Sequence, residues 1–252
     1  MTIQTLTSPK NPLLKSVRRA VARGECTEDG YCVAEGVHLL EEAVRSGAEI
    51  GPVFVAERSA DRMERWTGLQ VVAVPESILR EIATTETSQG VVSLVRARPV
   101  SLERIQPGLV VALDAIQEPG NAGAIIRVAE AFGATGVVAL KGTVNPYNPK
   151  ALRASAGSIF RVPCAHGVTS AELIERSWRL LATVPDRAVA VHEADLASDC
   201  AIVVGSEGHG VSSELLARCT PISIPTRGVE SLNAAVAAGI VLYEAQRQRG
   251  GV

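Results

Sequence analysis

The chain has 252 residues, a formal net charge of −2 at pH 7 and 46% hydrophobic residues. This length suits one large domain or two small ones with a substantial core, and the small net charge is untypical of a nucleic-acid binder. The longest apolar tract, residues 234–243, has half of the roughly 20 residues that a membrane span needs. Since the first residues also lack the basic start and apolar stretch of a secretory signal, we expect a globular, cytoplasmic protein without a membrane partner.

Five cysteines and four histidines bear on redox state and metal binding. The cysteines form no C-x-x-C pair and are odd in number, which argues against a zinc ribbon and a complete disulfide framework. The histidines show neither H-x-x-x-H nor H-E-x-x-H spacing. We therefore predict reduced, mostly buried thiols and no metal site.

The first half of the chain shows short strand and helix patterns. Asn11-Pro12 is a typical helix start and predicts a helix to about residue 23. Further helices are predicted over residues 37–45, 60–66 and 77–82. Strands are predicted over residues 31–34, 52–56, 69–74 and 91–95. We expect a small α/β domain over residues 1–97, followed by a charged, proline-containing linker over residues 98–107.

From residue 108 onward, apolar strands alternate with helices. The predicted strands cover residues 109–113, 136–140, 179–184, 201–205 and 222–224. The predicted helices cover residues 122–132, 171–176, 212–218 and 231–249. This alternation predicts a mostly parallel sheet with helices on both faces, in a domain of residues 108–252. In such sheets, ligands bind beyond the carboxyl ends of the strands.

Three segments rich in glycine and small polar residues follow strands of this sheet: QEPGNAGAIIR (117–127), GSEGHG (205–210) and IPTRGVESLN (224–233). Glycine lets a backbone approach a ligand closely. The polar side chains in these segments are Asn121, Arg127, Glu207, Ser231 and Asn233. Taken singly, the first two segments are explained better by a capped helix, with Asn121 as N-cap, and by a glycine-rich turn, and Ser231 in the third is a plausible N-cap. Together, the three segments predict one site assembled from three connections.

The order and spacing of the three segments resemble the signature motifs of the SpoU/TrmH family of RNA ribose 2'-O-methyltransferases. Residues 148–157, NPKALRASAG, are similar to the family's segment between its first and second motifs. Asn11-Pro12, Phe54-Val55 and Thr87-Ser88-Gln89-Gly90 resemble its N-terminal substrate-binding domain. The resemblance covers almost the whole chain.

The resemblance implies an α/β fold in which a small L30e-like domain precedes a SPOUT domain, a parallel sheet with a deep trefoil knot. It implies a homodimer formed through the knotted domain, and methyl transfer to a ribose 2'-hydroxyl of structured RNA. The L30e-like domain favours ribosomal RNA, 23S in particular, over transfer RNA. The implied cofactor is S-adenosylmethionine, held by Gly205, Glu207, Gly208, Ile224 and Leu232.

By motif position, Arg127 resembles the family's catalytic arginine. A guanidinium group stays protonated, so we interpret Arg127 as a stabiliser of the developing alkoxide and a clamp on the adjacent phosphate, rather than as a general base. By the same resemblance, four further catalytic residues would position Arg127 and the hydroxyl. They are Asn121, Glu207, Ser231 and Asn233.

A basic cluster precedes the first acid of the chain, Glu25. It comprises Lys10, Lys15, Arg18, Arg19 and Arg23. The cluster suits phosphate contacts, although taken alone it is explained better by a solvated helix face. Together with two cations of the 148–157 segment, it predicts an RNA-binding set. This set is Lys10, Lys15, Arg18, Arg19, Lys150 and Arg153.

Two other functions fit the same residues. One is a noncatalytic RNA-binding or ribosome-assembly factor on this fold, which the five intact polar residues of the three segments argue against. The other is a nucleotide-dependent α/β enzyme that acts on a small molecule. The motifs encode neither the nucleotide modified nor the choice between housekeeping and protection against an antibiotic.

Overall fold

The structure is a computed structural model that describes residues 4–58, 63, 66–85, 88–186 and 188–250. The chain forms two compact units. Unit 1 contains Met1–Arg98 and Tyr147–Phe160, and unit 2 contains Pro99–Pro146 and Arg161–Val252. The chain therefore leaves unit 2 after Pro146, adds one short segment to unit 1, and returns.

Unit 1 is built on a five-stranded mixed sheet with the order β1-β4-β3-β5-β2. Its strands are β1 (Gln4–Thr5), β2 (Tyr31–Glu35), β3 (Ile50–Ala56), β4 (Val71–Val74) and β5 (Val91–Arg96). Its helices are α1 (Pro12–Arg23), α2 (Val37–Arg45), α3 (Glu76–Ile82) and, from the later segment, α5 (Pro149–Ser155). Strand β5 runs antiparallel to β2 and β3, whereas β1, β3 and β4 are mutually parallel.

Helix α1 begins and ends at the residues that the sequence predicted. The Asn11 side chain accepts a hydrogen bond from the Leu13 backbone N–H at 2.9 Å, and Pro12 occupies the first helical position. Gly24 ends the helix in the left-handed region at φ 68°, where glycine has no Cβ penalty. The buried face of α1 packs into the core around Phe54.

Helix α5 is an integral part of unit 1. It lies against β2, and its Ala151 and Leu152 are fully buried. After it, Gly157 has a φ of 89°, and a Cβ at this position would overlap the side chain of Glu42. The family-like segment 148–157 is thus built into the same unit as the N-terminal helices.

Unit 2 contains a seven-stranded sheet in which every pair is parallel, with the order β10-β12-β9-β11-β6-β7-β8. The strands are β6 (Leu109–Asp114), β7 (Gly136–Leu140), β8 (Cys164–Val168), β9 (Leu180–Thr183), β10 (Val189–Ala190), β11 (Cys200–Gly205) and β12 (Thr220–Ser223). The helices are α4 (Pro119–Ala131), α6 (Ser170–Glu175), α7 (Ser213–Leu216) and α8 (Ala234–Gln248). The predicted parallel sheet is confirmed. The edge strands β8 and β10 were not predicted, because neither has a long apolar run.

Both predicted helix caps of the site are wrong. Glu118, rather than Asn121, is the N-cap of α4, because Pro119 fits the first helical position and the Glu118 carboxylate accepts from the Gly120 N–H. Asn233, rather than Ser231, is the N-cap of α8. Asn121 therefore lies inside its helix with its side chain available for other contacts.

Several sequence predictions stay open. Of the linker expected over residues 98–107, Arg98 falls in unit 1 and residues 99–107 fall in unit 2, where Leu102 and Ile105 are buried in the core. Most of the helix predicted over residues 60–66 lies outside the described residues, as does Thr87. Strand order alone does not trace the threading of the chain, so the trefoil knot remains a prediction.

The five cysteines are free, and Cys32, Cys164 and Cys200 are buried. Burial raises the pKa of Cys164 to about 12 and contributes most to the rise of the Cys26 and Cys219 pKa values to about 11. These thiols are thus protonated and weakly nucleophilic at neutral pH. None of the helices in the described ranges is long and apolar enough to cross a membrane.

Candidate active site

Three strands of unit 2 deliver the glycine-bearing segments to one edge of the sheet. Strands β6, β11 and β12 end at Asp114, Gly205 and Ser223, and all three run in the same direction. β11 pairs directly with β6, whereas β9 lies between β11 and β12. The three segments therefore share the carboxyl edge of the sheet, as the sequence predicted.

A chain of side-chain hydrogen bonds joins one residue from each segment. The Asn121 Nδ2 group donates to Glu207 Oε1, and Asn233 Nδ2 donates to Asn121 Oδ1 at 3.0 Å. A carboxylate only accepts, so Asn121 must present its NH2 group to Glu207 and keep its oxygen for Asn233. The network therefore fixes the orientation of the Asn121 amide.

Asn233 anchors this network to helix α8. Its Oδ1 accepts from the backbone N–H groups of Ala235 and Val236, at 3.0 and 3.2 Å. Two of the helix's unpaired N–H groups are thereby satisfied, which contributes about 1 kcal/mol. One asparagine thus both starts the helix and holds Asn121, a double role that residue type alone does not reveal.

Arg127 and Ser231 stand apart from this network. Arg127 lies six residues after Asn121 on α4, about 240° further around the helix, and is exposed. Ser231 is also exposed. Neither side chain forms a hydrogen bond or ion pair with another residue that the structure describes. Of the five predicted catalytic residues, the structure joins Asn121, Glu207 and Asn233 and leaves Arg127 and Ser231 free to meet a ligand.

The second segment folds into a tight turn directly after β11. Ser206 and Gly210 form an isolated antiparallel bridge, in which the Gly210 N–H donates to the Ser206 carbonyl at 2.8 Å. A Cβ at Gly205 would overlap the backbone of Gly210 and Val211, so glycine is required there. A Cβ at Gly208 would meet nothing within 4 Å, so the tip of the turn is open.

The third segment leaves the sheet in an open conformation. Ile224 and Leu232 are half-buried, whereas residues 225–231 between them are exposed. Within this stretch the Thr226 hydroxyl donates to the Val229 carbonyl at 3.2 Å. The five predicted cofactor residues, Gly205, Glu207, Gly208, Ile224 and Leu232, thus lie on two loops at the same sheet edge.

Two residues at this edge, Thr183 and Asp114, were not among the predicted site residues. Strand β9 ends there between β11 and β12, and its Thr183 hydroxyl donates to the Val203 carbonyl at 3.2 Å. Asp114, the last residue of β6, is buried and accepts a hydrogen bond from the Ser212 N–H at 2.6 Å. In the sequence, Asp114 could have been recognised as the single acidic residue at the end of the apolar run Leu109–Asp114.

The predicted RNA-binding residues lie in unit 1 and differ in their contacts. Arg18 pairs with Glu81, Arg19 pairs with Glu28, and Arg153 donates to the Thr84 hydroxyl. The other three, which form no ion pair with a described residue, are exposed. They are Lys10, Lys15 and Lys150.

The sheet of unit 2 is fully parallel, and its carboxyl edge carries three loops that are joined by polar side chains. This arrangement is typical of α/β proteins, which bind their ligands at that edge. The profile of the SpoU rRNA Methylase family matches residues 108–243, more than half of the chain, and the chain belongs to this family. The profile of the MRM3-like substrate binding domain matches residues 11–93. The resemblance seen in the three segments is therefore confirmed.

Similar proteins and structures cover almost the whole chain. An uncharacterized tRNA/rRNA methyltransferase of Synechocystis sp. is 33% identical over 98% of this chain and 95% of the relative. The 23S rRNA (guanosine(2553)-2'-O)-methyltransferase RlmP of Bacillus subtilis is 30% identical over 96% of this chain and 98% of the relative. The crystal structure of the AdoMet-bound rRNA methyltransferase from Sinorhizobium meliloti superposes with a TM-score of 0.85 at 30% identity, covering 97% of this chain and 98% of that chain. The protein is an RNA methyltransferase.

Proposed function

We propose that the protein methylates a ribose 2'-hydroxyl of structured ribosomal RNA, 23S in particular. The observation that carries this proposal is the Glu207–Asn121–Asn233 network, which joins all three motif segments at the carboxyl edge of the sheet. The Bacillus subtilis relative, named as a 23S rRNA 2'-O-methyltransferase, supports the choice of substrate. Such a substrate favours the cytoplasm as the place of action.

The two loops after β11 and β12 fit the methyl donor. Gly208, at the open tip of the turn, exposes backbone that can approach a nucleoside, and half-buried Ile224 and Leu232 offer apolar contact for an adenine ring. Glu207, the neighbour of Gly208 in the sequence, has a carboxylate that accepts hydrogen bonds. We assign cofactor binding to Gly205, Glu207, Gly208, Ile224 and Leu232.

When bound, S-adenosylmethionine supplies a methyl group made electrophilic by its sulfonium centre. The protein's task is to orient the ribose hydroxyl, exclude water, and stabilise the negative charge that grows as the hydroxyl loses its proton. Arg127 carries a permanent positive charge and five N–H donors, so it stabilises the alkoxide and holds the neighbouring phosphate.

The other assigned residues position these groups. Glu207 and Asn233 hold Asn121 in one orientation, and this places the start of α4, the helix that carries Arg127. Ser231 has a free hydroxyl on the exposed loop before α8, where it can bind the ribose. We therefore treat Arg127 and Ser231 as direct contacts, and Asn121, Glu207 and Asn233 as positioning residues.

The substrate assignment is tested with purified protein and S-adenosylmethionine carrying a radioactive methyl group. We expect label in 23S rRNA transcripts and, after digestion to nucleosides, in a 2'-O-methylnucleoside. Transfer RNA and free nucleosides serve as comparison substrates. Label in a methylated base would contradict the ribose assignment, and preferential labelling of transfer RNA would contradict the assignment to ribosomal RNA.

We also propose that the protein is a homodimer, with the face formed by α4 and α8 as its interface. An apolar groove of about 520 Å³ lies between these helices. Its lining residues are Val128, Phe132, Ala235, Val236, Gly239, Ile240 and Tyr243. Val236 and Tyr243 are 51% and 48% exposed, which is unusual for such large apolar side chains on one helix face. A second copy presenting the same face would cover them symmetrically.

An Ile240→Asp substitution is expected to convert the dimer to a monomer, because each interface would then bury two uncompensated carboxylates. Sedimentation equilibrium should give twice 26.4 kDa for the wild type and 26.4 kDa for the variant. Leu216→Asp is the matched control, since Leu216 is an exposed apolar residue on α7. A dimeric Ile240→Asp variant would contradict this interface.

The proposed RNA-binding residues are Lys10, Lys15, Arg18, Arg19, Lys150 and Arg153. The three lysines suit direct phosphate contacts, since they are exposed and form no ion pair with a described residue. Arg18, Arg19 and Arg153 already have partners within unit 1 and would exchange or share them with RNA.

A further inference from the structure

The turn formed by residues 205–212 carries two of the proposed cofactor contacts, Glu207 and Gly208, at its tip. Its own hydrogen bonds, from the N–H groups of His209 and Gly210 to Ser206, close only the tip. The turn must also be held against the sheet at both ends if the tip is to keep one position. Its first end is held by the ladder of β11.

Asp114 holds the second end. Its carboxylate accepts a short hydrogen bond from the Ser212 backbone N–H, at 2.6 Å. In the β6–β11 ladder, Asp114 is also the register partner of Gly205, where the turn begins. One residue of β6 therefore contacts both ends of the turn.

Burial makes this contact costly to lose. Asp114 is only 5% exposed, so its carboxyl group is withdrawn from water and depends on protein donors. The next residue, Ala115, has a φ of 56°, in the left-handed region that non-glycine residues seldom adopt. A buried acid followed by a strained backbone is retained only where the surroundings fix it, and such positions concentrate at functional sites.

We propose that Asp114 is a positioning residue for S-adenosylmethionine binding, acting through Ser212 on the turn that carries Glu207 and Gly208. The proposal rests on the assignment of this turn to the cofactor. Without the carboxylate, the Ser212 N–H loses its acceptor, and the second end of the turn is held only by the start of α7 and by the packing of Val211 and Leu215. Glu207 would then lose its fixed distance to Asn121 as well.

The test compares Asp114→Ala with Asp114→Asn by calorimetric titration of S-adenosylmethionine. The alanine variant is expected to bind about 10-fold more weakly, whereas asparagine keeps an acceptor oxygen for Ser212 and should stay within about 3-fold of the wild type. Hydrogen exchange of the peptide covering residues 206–212 should rise in the alanine variant and not in the asparagine variant.

Val111→Ala is the control for a general loss of stability, because Val111 is a fully buried residue of the same strand. It should lower the Tm while leaving cofactor affinity unchanged. Equal affinity of Asp114→Ala and the wild type, or equal losses in both Asp114 variants, would overturn the proposal. Failure of the wild type itself to bind S-adenosylmethionine would instead overturn the assignment of the turn to the cofactor.

Discussion

Replacement of Arg127 by alanine is expected to lower kcat about 1,000-fold while leaving S-adenosylmethionine affinity within about 3-fold of the wild type. The reason is geometric. Arg127 is exposed and on a different side of α4 from Asn121, so it takes no part in the hydrogen-bond network of the three segments. Its removal should therefore cost transition-state stabilisation without moving the cofactor loops. Single-turnover methylation and calorimetry measure the two quantities separately.

An Arg127→Lys variant distinguishes an electrostatic role from a general-base role. Lysine is protonated at pH 7, so a stabilising cation should retain more activity than alanine does. A general base would instead gain activity as pH rises towards the lysine pKa of about 10.4. Arg218→Ala is the control for loss of an exposed cation in unit 2. Full activity of Arg127→Ala would refute the assignment, and so would a large loss of cofactor binding.

The sequence predicted the sheet well because its strands are buried on both sides. Three of its strands are almost continuous apolar runs: Leu109–Asp114, Gly136–Leu140 and Cys200–Gly205. Such runs predict buried strands without information from the neighbouring segments. The edge strand Cys164–Val168 contains an exposed histidine and glycine, so it carries no comparable pattern. Its pairing with β7 comes from tertiary context.

The sequence indicated which polar residues belong to the site, but it did not indicate which of them cap helices and which bind one another. Asn121 and Asn233 are both good N-cap residues, and only the position of Pro119 and the start of α8 decide which of them caps a helix. The bond from Asn121 to Glu207 spans 86 residues of sequence. Local patterns do not encode such a contact, and the same is true of the link between Asp114 and Ser212, 98 residues apart.

A triple substitution of Lys15, Arg23 and Lys150 by alanine is expected to weaken RNA binding about 10- to 100-fold near 0.1 M salt. Lys15 and Arg23, together with Arg19 between them, follow one another at four-residue intervals on the exposed face of α1, a helix without an acidic residue. At the end of this helix a Cβ on Gly24 would overlap the Asn148 side chain, and Lys150 follows two residues later. The contact therefore connects the basic residues of α1 with Lys150 of α5 within unit 1, and we call Lys15, Arg19, Arg23 and Lys150 together the basic stripe.

Salt dependence distinguishes phosphate contacts from a general change in charge. Each lost phosphate contact removes one unit or slightly less from the slope of log affinity against log salt, so the triple variant should lose about 2–3 units. A control with the same charge change replaces Arg80, Arg104 and Arg218, three exposed arginines outside α1 and α5, by alanine. Because both triple variants have the same net charge, equal slopes would mean that RNA senses only the overall charge. If only the variant of Lys15, Arg23 and Lys150 has a smaller slope of log affinity against log salt, the RNA phosphates lie along α1 and the start of α5.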